Sequence, residues 1–282
     1  MGQYRRNGFG LTDQGVIDGA ATSMFSKFSL FNHSCCPNVY VSNVGKTMRA
    51  RAIRPIRKGE ELTINYVPNL MLGTMEYRQE RIRVRYLFDC KCSACTSPEA
   101  IEKNKIHTRL RYQTPGIDVR QCIDECKRIE ATARAQDKAN NHVSAIAIID
   151  EFLKSSPLDR RSCYIREIAS LAQASCFELN MWERTLEFGE IVTESSKTFL
   201  SSDHPTLAQH YLALCTSLRN LGRGKVVMQY MQSAVRSYEV FLGKDHPATM
   251  VYQRHLTSLF CQTEEFQEAC RRGDPVCVID LN

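Results

Sequence analysis

The pattern of apolar and polar positions changes character partway along the chain. Up to about residue 95, apolar residues come in short clusters separated by turn formers. Val39-Tyr40-Val41, Met48 to Ile56 and Leu62 to Tyr66 read as strands, punctuated by Asn43, Gly45, Pro55 and Gly59. Met75 to Tyr86 reads as an Arg-rich helix that runs into a cysteine cluster at Cys90. Beyond about residue 116 the period lengthens, and helices are expected over roughly 118–138, 140–154, 162–179, 183–200, 206–220, 225–242 and 247–262. Pro157, Pro205 and Pro247 stand near their boundaries. The stretch from Arg111 to Asp118, which contains Thr114-Pro115-Gly116, reads as the connection between the two regimes.

The helical half repeats itself. Phe199-Leu200-Ser201-Ser202-Asp203-His204-Pro205-Thr206 aligns with Phe241-Leu242-Gly243-Lys244-Asp245-His246-Pro247-Ala248 at an offset of 42, and each unit spans two helices. Stacked helix pairs of the tetratricopeptide kind are expected. Asp-His-Pro reads as a helix start, with a capping side chain followed by Pro in the first turn, and assigns no chemistry to His204 or His246.

Composition narrows the classes. With 43% hydrophobic and 24% charged residues the chain is neither disordered nor fibrous. No apolar run approaches a membrane span, and Met1 is followed by polar, basic residues rather than a secretory h-region, so the expected location is the nucleus or the cytoplasm, with no membrane partner. Residues 1–111 carry a net charge of +9 and residues 112–282 a net of −3. A basic half attracts acidic partners, but no finger, homeodomain or RNA-recognition signature accompanies it, and direct nucleic-acid binding is not expected.

Thirteen cysteines in such a setting call for a reason other than a disulfide framework. Cys90-Lys91-Cys92-Ser93-Ala94-Cys95 has the spacing of a loop that wraps one zinc ion, with Cys35 or Cys36 as the source of a fourth ligand. Three buried free thiols are the plain alternative. The eight cysteines beyond residue 111 read mostly as small apolar helix residues. Phe31-Asn32-His33-Ser34-Cys35-Cys36-Pro37-Asn38 reads as a polar loop able to clasp a cofactor, although a lone His33 is as readily structural. Tyr66, at the end of Gly59-Glu60-Glu61-Leu62-Thr63-Ile64-Asn65-Tyr66, fits core packing as well as chemistry.

Taken in order, Asn32-His33-Ser34-Cys35-x-Pro37-Asn38, Gly59-Glu60-Glu61-Leu62-Thr63-Ile64-x-Tyr66 and Tyr86-x-Phe88-x-Cys90-x-Cys92-x-x-Cys95 resemble the SET-domain protein-lysine methyltransferases. The branch they resemble most carries a MYND finger within its SET domain and a helical C-terminal domain. The resemblance implies an α+β fold: the C-terminal part of a SET β-fold over 1–88, a cysteine-rich zinc loop and linker over 89–111, and a tetratricopeptide-like all-α domain over 112–282. It implies S-adenosylmethionine as methyl donor, bound by Ser29, Asn32, His33 and Phe88, with Tyr66 at the methyl-transfer centre. Phe9 and Tyr86 would line a lysine channel, and Cys35, Cys90, Cys92 and Cys95 would hold one structural zinc. The implied partners are lysine-bearing proteins or peptides, histones among them, and proteins bound by the helical domain.

The family's N-terminal SET portion, with its Gly-rich turn, and its MYND finger have no counterpart ahead of Asn7-Gly8-Phe9-Gly10. The expectation is therefore exposed strand edges and a reduced cofactor wall. Either the chain methylates lysine with a depleted site, or it is a non-catalytic protein-interaction module that works through its helices.

Overall fold

Among the described residues, strand formers of the first half pair into three small sheets. The computed structural model describes residues 8–13, 17–67, 70–112 and 116–263, together with Glu268 and Arg272. Strands β1 (Gly8–Asp13) and β2 (Ile17–Met24) form an antiparallel hairpin that the apolar pattern does not single out. Strands β4 (Val39–Val44) and β5 (Thr47–Ala52) form a second hairpin, tightened by Gly45 at φ 57°. β5 ends at Ala52, four residues short of the expected Ile56. The segment read as a loop contains a strand: β3 (Asn32–His33) pairs in parallel with β6 (Thr63–Ile64), which is itself shorter than the expected Leu62 to Tyr66.

Helix α1 (Met75–Tyr86) starts where Thr74 accepts a hydrogen bond from Tyr77 N. Two short helices that sequence reading did not separate, α2 (Ser93–Thr96) and α3 (Pro98–Asn104), carry the cysteine loop onward. Among the described residues seven longer helices come after them: α4 (Val119–Lys138), α5 (His142–Ser155), α6 (Cys163–Glu178), α7 (Trp182–Phe199), α8 (Pro205–Asn220), α9 (Gly224–Phe241) and α10 (Pro247–Cys261). Each packs on its neighbours along the chain. Of the expected connection, Thr114 and Pro115 lie outside the described residues, while Gly116 has φ 83°.

The helix ends repeat as the sequence does. Asn140, Asn180 and Gly222 each adopt positive φ just after α4, α6 and α8. The next residue then donates back to the helix: Asn141 N to Gln136 O, Met181 N to Cys176 O and Arg223 N to Leu218 O, all at 2.9 Å. Glycine reaches this left-handed conformation freely and asparagine at small cost, which is why these residue types stop the helices. His204 and His246 cap α8 and α10 through Nδ1, each accepting a backbone N–H at 3.2 Å.

One apolar core lies among α4 to α7 around Ile149, Leu158, Ile165, Ile168 and Val192. A second joins the two halves, packing Tyr40, Leu72 and Ile106 of the first against Phe199, Leu207, Tyr238 and Leu242. A third, small core consists of Cys35, Leu70, Ile82, Cys90, Ala94 and Cys95. None of the helices among the described residues is long and apolar enough to cross a membrane.

Candidate active site and metal centre

Two paired strands of two residues each set the geometry. Pairing of Asn32 with Thr63 and His33 with Ile64, extended by Ser34 N donating to Ile64 O at 2.9 Å, brings Tyr66 beside His33. Tyr66 N donates to His33 Nδ1 at 3.1 Å, so the ring proton belongs on Nε2, which lies 3.4 Å from Cys35 Sγ. Buried Asn38 braces the pair: its Nδ2 donates to Glu61 O at 2.8 Å and Glu60 Oε1 at 3.1 Å, and its Oδ1 accepts Thr63 N at 2.9 Å. The Arg54 guanidinium, helped by Arg57 N and Asn38, holds the Glu60 carboxyl down at about 2.

The Tyr66 hydroxyl donates to Phe31 O at 2.5 Å, and its ring lies 4.8 Å from that of Tyr86, whose hydroxyl donates to Tyr66 O at 3.3 Å. Burial raises both phenols, and for Tyr66 the neighbouring Tyr86 and Glu61 add to it. Both remain protonated donors at neutral pH. Helix α1 ends on Leu87, which holds a left-handed conformation at φ 65° despite its side chain. The turn lets Tyr86 meet Tyr66 while Phe88 comes to 6.2 Å from the His33 ring. Gln79 fixes the start of the cysteine loop through a two-point clamp on Cys90, donating to its carbonyl at 2.7 Å and accepting its N–H at 3.0 Å. Arg78, 3% exposed, donates to Gly73 O and Ala94 O, both at 2.9 Å, tying α1 to the same loop.

The sulfurs of Cys35, Cys90, Cys92 and Cys95 all lie within 4.8 Å of one another, with Cys35 at 3.9 Å from Cys90 and 3.7 Å from Cys95. A tetrahedral zinc with bonds of about 2.3 Å to sulfur needs sulfur–sulfur edges of about 3.8 Å. The donor set therefore fits a zinc-type ion in both chemistry and spacing. Crowding divides the thiols: hydrogen bonds with Cys35 push Cys92 and Cys90 down, while the bond with Cys90 pushes Cys35 up. Of the two candidates for the fourth ligand, Cys35 belongs to this quartet and Cys36 stands beside it.

The remaining expected residues lie around this centre. Asn32 is exposed and donates through Nδ2 to Glu61 Oε1 at 2.6 Å. Ser29 Oγ is turned to Phe25 O, 3.0 Å away in its own turn. Phe9 packs edge-on against Phe25 and Phe28, and Phe28 packs on Phe31, whose carbonyl holds Tyr66. Two clefts open elsewhere, one bordered by Arg54, Arg57, Lys58 and Glu60, the other by Tyr40, Pro205, Tyr238 and Tyr252. Sequence reading gives no role to Gln79, Asn38 or Glu61. Asn38 stands within the motif that draws attention to Asn32, whereas nothing local marks Gln79.

Residues 7–67 match the model of the SET domain. Over 248 residues, 87% of the chain is 27% identical to N-lysine methyltransferase SMYD2 of Homo sapiens, and the same share is 28% identical to the Gallus gallus protein. N-lysine methyltransferase SMYD2-A of Danio rerio is 25% identical over 250 residues. The chain spans 56% of the length of the human relative and 57% of the zebrafish one. The chain is thus similar to lysine methyltransferases over most of its length and matches the SET domain over residues 7–67, and its described elements make an α+β fold.

Proposed function

We propose that this chain is a protein-lysine N-methyltransferase that takes its methyl group from S-adenosylmethionine. The observation that carries the reading is the convergence of Asn32-His33, Tyr66 and Tyr86-Leu87-Phe88 around the β3–β6 pair. Exposed Asn32 keeps its carboxamide oxygen for a polar group, and Phe88, 37% exposed, presents an aromatic surface suited to a purine. We assign Ser29, Asn32, His33 and Phe88 to the donor and Phe9 and Tyr86 to the lysine channel. Residues 1–88 would form the SET part, 89–111 the zinc loop and linker, and 112–282 the helical domain.

When bound, S-adenosylmethionine supplies an electrophilic methyl on a positively charged sulfur. The amine of a substrate lysine must arrive neutral, and an apolar channel beside Tyr66 and Tyr86 would disfavour its charged form. The Tyr66 phenol is raised by burial and serves to orient by hydrogen bonding rather than to accept a proton. Alignment is then the main contribution of the chain. Zinc held by Cys35, Cys90, Cys92 and Cys95 would be structural, since four thiolates leave no open position. It would lock the Phe88 loop to the strand that carries His33.

The test is calorimetric titration of S-adenosylmethionine into the full chain, paired with methyl transfer to lysine peptides, histone tails among them. Asn32→Ala is expected to weaken donor binding about ten-fold, as loss of a hydrogen bond at a polar ligand does. Tyr66→Phe is expected to cut transfer about 100-fold with donor affinity nearly unchanged. A folded chain that binds no donor would overturn the reading. It would favour the second one, a protein-interaction module, for which the helical repeats and the cleft bordered by Tyr40, Pro205, Gln209, Leu212, Tyr238 and Tyr252 speak. Either role suits a nuclear or cytoplasmic protein.

A further inference from the structure

The cysteine cluster offers five sulfurs where a tetrahedral metal uses four. The fifth, Cys36, comes directly after a ligand in sequence and is held in place on several sides. Its backbone N–H donates to Ser34 Oγ at 3.1 Å, and its Sγ lies 3.6 Å from Ser34 Oγ and 3.1 Å from the Oγ of Ser93, the residue that follows Cys92. Cys35, Cys90 and Cys95 are buried, whereas Cys92 and Cys36 are only partly so. The side of the cluster that solvent reaches is thus the side on which the spare thiol stands beside the Cys92-Ser93 segment.

We propose that Cys36 is an oxidative modification site: with hydrogen peroxide as oxidant it forms a disulfide with Cys92 and so releases the metal. The inference rests on the reading of the quartet as a metal centre and goes beyond the methyl-transfer reading. The Cys92 sulfur attacks one peroxide oxygen, the O–O bond breaks, and the departing hydroxide takes up a proton to leave water and a Cys92 sulfenic acid. The Cys36 sulfur then attacks the Cys92 sulfur, the S–O bond breaks and the S–S bond forms. The departing hydroxide takes the Cys36 proton as a second water. Two electrons pass from the two sulfurs to one peroxide.

With Cys36 Sγ against Ser93, the neighbour of Cys92, the second step is intramolecular and outruns further oxidation of Cys92. A sulfur bound in a disulfide is no longer a thiolate ligand, and three thiolates remain. The loop that carries Phe88 then loses its tie to Cys35, the sulfur next to His33 Nε2.

The experiment starts from the full chain with its zinc content measured by elemental analysis. Hydrogen peroxide is added in stoichiometric steps, released zinc is read with a colorimetric chelator, and disulfides are mapped by mass spectrometry after alkylation. The expected result is one zinc released per chain, in step with a Cys36–Cys92 linked peptide, and restored by a dithiol reductant plus zinc. In Cys36→Ser, zinc is retained before oxidation, its release slows about ten-fold at equal peroxide, and Cys92 proceeds to sulfinic acid that reductant does not reverse. Release at the original rate in Cys36→Ser, or a disulfide that leaves out Cys36, would overturn the proposal while the metal reading stands. A folded chain that takes up no zinc would overturn the metal reading and this proposal with it.

Discussion

His33 has both ring nitrogens committed to the chain: Nδ1 accepts Tyr66 N–H and Nε2 faces Cys35. The motif makes this residue legible in the sequence, but not its partners, because one lies 33 positions away and is brought in only by strand pairing. The same holds for His107, to which no sequence pattern points. It is fully buried, stacks on Phe199 with centroids 4.4 Å apart, and accepts Cys163 N at Nδ1 over 3.1 Å. Burial, aided by the charges of Arg78 and Arg166, pushes it down to about 4. An unfolded histidine titrates near 6.5, so between these values the unfolded chain binds the extra proton. The neutral ring's contribution, about 3 kcal/mol, is whole above pH 6.5 or so and is lost as pH falls toward 4. His204 and His210, also pushed to about 4 by burial, add to the same slope. Urea midpoints measured from pH 7.5 to 4.5 are expected to fall steeply, and less steeply in His107→Gln, even if that variant is weaker throughout. Equal slopes in the two proteins would show that His107 is not the group being titrated.

At the scale of elements, the long helices are legible to within a residue or two because their signals are local. Capping His, the following Pro and the left-handed Asn or Gly each act within a turn of the boundary that they mark. The β3–β6 pair is not legible, since two residues carry no period and their partners are 31 positions off. The repeat itself conceals a difference. His204 caps α8 and packs on Phe241 at 5.4 Å, whereas His246 caps α10 and also brings Nε2 to 3.4 Å from Asn43 O in the β4–β5 hairpin. His204→Ala is expected to cost about 1 kcal/mol, as loss of a cap does. His246→Ala is expected to cost about twice that, since it also strips a partner from a buried carbonyl contact. Chemical denaturation of the two variants decides it, and equal costs would mean that His246 is only a cap.

For the whole molecule, the charge asymmetry read from sequence has an internal address as well as an external one. Arg49 of the basic half pairs with Asp245 at 2.6 Å, and Arg109 pairs with Asp159 at 2.5 Å, so part of that charge faces the chain's own helices. Such partly exposed pairs orient more than they stabilise. The firmer joints are an aromatic contact and a backbone one: Tyr40 lies edge-on to Phe241 at 5.2 Å, and Leu110 forms an antiparallel β-bridge with Leu158. The two halves differ in what holds them together internally. Around the cysteine quartet the core is half made of Cys35, Cys90 and Cys95, with Leu70, Ile82 and Ala94, while the core among α4 to α7 contains none of these. Once the quartet is loaded with zinc, stripping it with a strong chelator should therefore unlock the Tyr66–Tyr86 region and leave the helical half standing. The single tryptophan, Trp182 at the start of α7 against Phe177, reports on the helices, while near-ultraviolet dichroism includes the clustered tyrosines of the site. As zinc leaves, the tyrosine band is expected to fall, with Trp182 emission and the helical far-ultraviolet signal nearly constant. Loss of all three signals in step would mean that the joints at Tyr40 and Leu110 couple the halves into one cooperative unit, and that the metal stabilises the entire chain.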